Sequence, residues 1–339
     1  MADPTPEHGA DSGGDDAFDP AILIEVAGSY LLGETPSLTR REVAERSGVE
    51  LDVAVALWRS LGFPEIGDDK VAFTPSDVEA INITRRLTEL HVLQPDMIQT
   101  FVRAMGQSFA RLADWQTRLL LSSLGDDEDA LPLELLSEVV PLVEEVQAYI
   151  WRRHLVSAAS RILLRSSTDA TGLPLAVGFV DIVGYTSRSR QMSARDLAVL
   201  VDGFEQVVTD LVVDHGGQVI KTIGDEVLYT VDDPAQAALL ALELIGRHEE
   251  DEAFPLVRVG TAYGQVLSRL GDVYGPVVNI ASRLTSVARP GRALVDVELA
   301  RLLRGDERFR LKRTRNRSVK GYEHLEPWAL KHPRDRSDD

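Results

Sequence analysis

Cysteine is missing altogether from the 339 residues, which excludes a disulfide framework and any thiolate metal site. Lysine is nearly missing. Only Lys70, Lys221, Lys312, Lys320 and Lys331 stand among 36 basic residues, so a lysine here points to a place that needs a compact ammonium rather than a planar guanidinium. Basic charge as a whole is short, and a net charge of −18 argues against non-specific binding to nucleic acid or to an anionic membrane. No apolar run approaches the roughly 20 residues of a bilayer span. The start, "MADPTPEHGADSGGDDAFDP", lacks the basic and apolar regions of a signal peptide. A soluble, cytoplasmic protein is expected.

What is present divides near residue 170. Residues 1–19 read as a disordered acidic tail. From 20 to 164 the spacing is helical. "LTRREVAERSGV" carries a capping box from Thr39 to Glu42 and a turn at Ser47-Gly48, and Thr74-Pro75 opens another helix. "MIQTFVRAMGQSFARLADWQTRLLLSSL" is one long amphipathic helix, and the apolar stretch up to Leu164 is one or two more. Residues 165–174 form a polar linker with Gly172 and Pro174. Beyond it, residues 175–331 alternate strands with helices, leaving 332–339 as a tail. The order β-α-β-β-α-β predicts a ferredoxin-like core with additions, hence an α+β chain behind an all-helical N-terminal domain.

Three stretches of the second half carry candidate chemistry: "FVDIVGYTS", "KTIGDE" and "GDVYGPVVNIASRL". Asp181 ends a buried strand beside a glycine loop, and Asp225 sits at a hairpin turn. Two carboxylates that meet in space hold divalent ions in the arrangement used for phosphoryl chemistry. Asn279 and Arg283, spaced i and i+4, share one helix face. Each residue alone is commonly a cap, a turn or surface decoration; the ordered combination is specific.

That combination resembles the catalytic domain of class III nucleotidyl cyclases over residues 173–331. The resemblance implies that Asp181 and Asp225 bind two divalent ions, Mg²⁺ or Mn²⁺. It implies that Lys221 and Asp272 read the purine, that Asn279 and Arg283 position the ribose and stabilise the transition state, and that Lys320 in "SVKGYE" contacts the triphosphate. Guanylate cyclases of the class typically carry Glu and Cys or similar residues in place of the Lys and Asp, so ATP is the implied substrate, cyclised to 3′,5′-cyclic AMP and pyrophosphate. The resemblance also implies a homodimer whose two sites each draw the aspartates from one subunit and the remaining residues from the other. Less specifically, the front half resembles the helical regulatory domain of soluble actinobacterial cyclases, with pH or a small molecule as its input. Against this stands a second reading. The segment "TRREVAERSGVELDVAVALWRSLGFP" has a helix-turn-helix look, so the chain would be a DNA-binding regulator whose cyclase-like domain only binds nucleotide. The acidic balance makes nucleic acid an unfavourable partner.

Overall fold

Thr39 shows how local signals start the first half. Its Oγ1 accepts from the Glu42 N–H at 3.2 Å, while the Glu42 carboxylate accepts from the Thr39 N–H at 2.8 Å. This reciprocal cap opens helix α1 (Arg40–Ser47), and Gly48 closes it at a φ of 69°. The computed structural model describes residues 28–123, 133–165, 173–315, 317–319 and 322–333. The expected tail 1–19, most of the linker and Lys320 lie outside them.

The chain divides into two compact units, Met1–Ser160 and Arg161–Asp339. In the first, α1 is followed by α2 (Leu51–Leu61) and α3 (Pro75–Glu89), then α4 (Ile98–Ser123) and α5 (Leu133–Arg165). Leu38, Val43, Ala44, Ala54, Trp58, Phe73 and Ile81 form its core, with the Trp58 and Phe73 rings 4.6 Å apart. This half is not purely helical. Strands β1 (Leu38–Thr39) and β2 (Val71–Phe73) pair antiparallel, too short to give an alternating pattern in the sequence. The stretch read as one or two helices is one, α5, with Pro141 inside it.

The second unit is built on β3 (Leu173–Ile182), α6 (Tyr185–Ser189), α7 (Ala194–Asp214), β4 (Gly217–Ile223), β5 (Glu226–Val231), α8 (Pro234–Glu250) and β6 (Val257–Arg269). The strand order β4-β5-β3-β6, all antiparallel, is the predicted ferredoxin-like arrangement. Additions follow: β7 (Asp272–Tyr274), α9 (Pro276–Val287), β8 (Ala293–Val295), α10 (Val297–Leu302), β9 (Arg310–Arg313), β10 (Arg317–Val319), β11 (Tyr322–Leu325) and β12 (Trp328–Lys331). They extend the sheet beyond β6 as β8-β12-β9, β8 running parallel to β6.

The two sheet faces bury different partners, as period-2 strands require. One set, including Ala176, Val180, Tyr229 and Val259, packs with Phe204 and Val208 of α7 and Leu240 and Leu244 of α8. The other, including Val177, Phe179, Leu228 and Ala262, packs with Val277, Ala281 and Leu284 of α9. Gly260 sets how closely α9 approaches β6: a β-carbon there would stand 2.2 Å from the Thr285 nitrogen.

Candidate active site

The strand register assembles the site on the α9 face. Asp181 of β3 pairs with Glu226 of β5 on one side and with Arg258 of β6 on the other. Directly paired residues of antiparallel strands point to the same side, so Glu226, Asp181 and Arg258 form one row. Asp225 enters from the hairpin between β4 and β5, a two-residue loop in which Gly224 takes a φ of 66°. The Asp225 carbonyl accepts the Ile182 N–H at 3.2 Å, which pins the turn to the end of β3 and sets the two aspartates side by side.

Arg258 Nε donates to Asp181 Oδ2 at 2.5 Å, and Arg258 Nη1 donates to the Ser286 carbonyl at 3.3 Å. Asp181 is only 8% exposed. Arg258 is bonded to Asp181, and its charge also reaches Asp225 and Glu226. Burial, then the neighbouring Asp181, raises the Asp225 carboxyl above its ordinary range. Burial together with Asp181 and Asp225 pushes Glu226 up to about 7, with Arg258 pulling the other way. This excess of hard oxygen donors over resident positive charge fits a divalent cation. Among the described residues no group of three or more His, Asp or Glu is arranged to hold a metal ion by itself.

Lys221 reaches the same face through a register shift. Val219 pairs with Tyr229, but Lys221 pairs with Leu228. The extra residue, Ile220, makes a bulge, and a one-residue slip turns the following side chains to the opposite side. Lys221 Nζ donates to Asp272 Oδ2 of β7. Burial by itself would raise Asp272; the Lys221 bond and charge, the Val273 N–H and Tyr274 outweigh it and hold this carboxyl below the usual range. Asn279, exposed, and Arg283, half-buried, lie one turn apart on α9. The sequence-derived set thus falls into pairs: Asp181 with Asp225, Lys221 with Asp272, Asn279 with Arg283. Among the described residues no hydrogen bond or ion pair joins one pair to another. Glu226 and Arg258 were missed by the sequence reading, although an arginine inside the buried run "PLVRVGTA" is a signal of a paired charge.

Residues 173–332 match the family model of the adenylate and guanylate cyclase catalytic domain, and residues 17–126 match that of the adenylate cyclase regulatory domain. An adenylate cyclase of Glutamicibacter nicotianae is 40% identical over 88% of this chain and 80% of its own length. The chain belongs to the class III adenylate cyclases. Another such enzyme, from Streptomyces coelicolor, is 35% identical over 97% of this chain and 93% of its own. A third relative, 31% identical over 82% and 73%, is a pH-sensitive adenylate cyclase of Mycobacterium tuberculosis. The regulatory match displaces the DNA-binding reading, and the first helices agree: Arg40 is buried against Asp68 at 3.0 Å, Arg59 pairs with Glu65 at 2.6 Å, and Arg85 donates to the Ser47 carbonyl. Those guanidinium groups serve internal partners rather than phosphates. Among the described residues of this adenylate cyclase, no helix is long and apolar enough to cross a membrane.

Proposed function

We propose that the chain cyclises ATP to 3′,5′-cyclic AMP at sites shared between two copies, under control of the helical half. The observation that carries the reading is that Asp181 with Asp225 and Lys221 with Asp272 stand as two pairs on one sheet face, with no bond between the pairs among the described residues. Lys221 with Asp272 offers a donor and an acceptor, complementary to N1 and the exocyclic amine of adenine. Asp181 with Asp225 offers oxygen ligands for two divalent ions, Mg²⁺ or Mn²⁺. Bound ions would supply the charge that lowers the pKa of the ribose 3′-hydroxyl and neutralises the triphosphate. Asn279 orients the ribose, and Arg283 meets the charge that grows as the 3′-oxygen attacks the α-phosphorus and pyrophosphate leaves; one such donor is typically worth about 10²–10³ in rate. Lys320 is assigned to the triphosphate. A C₂ pair gives two equivalent sites.

The pH-sensitive relative supports pH as the input to residues 17–126, with a small molecule as the other candidate. The test is cyclic AMP production from ATP with Mg²⁺ and with Mn²⁺, followed across pH. Formation of cyclic AMP that stops on chelation supports the reading; ATP binding without product overturns it.

A further inference from the structure

Two of the scarce lysines, Lys312 and Lys331, have no part in the site described above. Strand β9 ends the large sheet and pairs antiparallel with β12. In that register Arg310 stands opposite Lys331, and Lys312 opposite Ala329. Ala329 packs with the core beneath α9, whereas Leu311 and Trp328 pack with the core on the other side of the sheet. Arg310, Lys312 and Lys331 therefore lie together on the face that carries Asp181 and α9. Lys312 is exposed; the other two are half-buried.

Like charges directly opposite each other on paired strands are destabilising, and the neighbouring acids do not relieve them. The run "RLLRGDERFRLKRTRNRSVK", residues 301–320, sets only Asp306 and Glu307 among its arginines and lysines. Asp306 is taken by Arg308 at 2.7 Å, Glu298 by Arg301 at 3.0 Å and Glu326 by Arg313 at 3.0 Å. Among the described residues, no acidic side chain pairs with Arg310, Lys312 or Lys331. Guarding a sheet edge accounts for charge on β9, but not for Lys331, because β12 lies between β8 and β9. Cations held half-buried beside one another without a counter-charge call for an anion. We propose that Arg310, Lys312 and Lys331 form an anion site for two linked phosphate groups, occupied by pyrophosphate.

The spacing sets the class of anion. Paired strands hold the α-carbons of Arg310 and Lys331 about 5 Å apart, and Lys312 lies about 7 Å along β9 from Arg310. Positive charge spread in a row suits a diphosphate, which presents oxygens from two centres; a lone phosphate meets only part of the row. The arginine fork grips one phosphate through two nitrogens, and each lysine adds a point charge. A polyanionic surface is a poor alternative, because two of the three groups are half-buried and a net charge of −18 repels it. That the occupant is pyrophosphate rests on the cyclisation proposed above, which releases it.

Titration calorimetry of the full-length protein with pyrophosphate in a metal chelator tests the site without ions that could hold the anion at Asp181 and Asp225. Each chain should take up one pyrophosphate, more weakly as salt rises. Lys331→Gln and Lys312→Gln should each weaken binding by about tenfold or more, as expected for the loss of one charge-assisted contact. Without anion, the melting temperature of Lys331→Gln should hold or rise, since a repulsion is removed; a clear fall would show that Lys331 serves the fold and overturn its assignment. Orthophosphate should bind more weakly than pyrophosphate, and equal affinity would overturn the linked-phosphate class. ATP that binds more tightly than pyrophosphate, and is lost in both variants, would overturn pyrophosphate as the occupant in favour of a nucleotide tail. No uptake of pyrophosphate, or equal uptake by wild type and variants, would overturn the site and leave the cyclase reading standing. Uptake lost in the variants, by a protein that forms no cyclic AMP, would do the reverse.

Discussion

Lys221 and Asp272 are exposed enough, 42% and 23% at the side chain, that their ion pair adds little to stability. Their proposed use is recognition. Lys221→Glu with Asp272→Cys should lower ATP cyclisation by about 10²-fold or more, since a base read by buried hydrogen bonds is rejected when its partners are missing. The melting temperature should stay within a few degrees; turnover that survives nearly intact would refute the assignment. Asp296 is the opposite kind of carboxylate. It is buried, caps α10, and accepts from the Leu299 N–H at 3.0 Å and the Tyr263 N–H at 3.2 Å. Burial pushes it up to about 6 against those bonds. Its folded pKa is therefore raised, so the folded state holds a proton that the unfolded state has lost between about pH 4 and 6. Stability falls as pH rises through that window, by about 3 kcal/mol at most. Asp296→Asn keeps an acceptor oxygen for both N–H groups and is expected to flatten the slope, as melting of the catalytic unit at pH 4.5 and 7 would reveal.

At the scale of elements, two glycines make contrasting predictions. Gly224 sits at positive φ with open space around it, so Gly224→Ala should cost only the backbone term, about 1–2 kcal/mol. Gly260→Ala must push α9 off β6 and should cost as much or more, typically 1–3 kcal/mol for overpacking, with a larger loss of activity because α9 carries Asn279 and Arg283. Thermal melts beside cyclase rates separate the two; a Gly260→Ala enzyme with full activity would show that α9 tolerates displacement. The elements also show what a sequence can reveal. Caps at Thr39 and Thr74, the hairpin turn at Asp225 and the helix of Asn279 and Arg283 are written locally, and all were legible. The row Glu226–Asp181–Arg258 was not, because it depends on which strand lies beside which, and β5 and β6 are distant from β3 in the chain. Nor was the bulge at Ile220. Plain alternation puts Val219 and Lys221 on one face, and only the pairing with β5 separates them.

For the whole molecule, site sharing has a quantitative signature. Asp225→Ala and Asn279→Ala should each be nearly inactive alone. In a mixed dimer one site collects both defects and the other is intact. Random mixing makes half the dimers mixed, so roughly a quarter of wild-type activity should return. Tagged co-purification must confirm that the copies exchange; confirmed mixed dimers that stay dead would place each active site within one chain. Removing residues 1–170 should change the rate per catalytic unit or its pH profile, and an unchanged rate and profile would leave the helical half without its assigned role. Gly260 bears on how such control can work at all. Close packing of α9 on β6 at Gly260 resists sliding of Asn279 and Arg283 relative to Asp181 inside one copy. On the pairing proposed above, what is left to vary is how often, and at what angle, two copies meet. An enzyme built this way answers to dilution: its specific activity should climb with its own concentration, making the amount of protein in the cell a control in its own right.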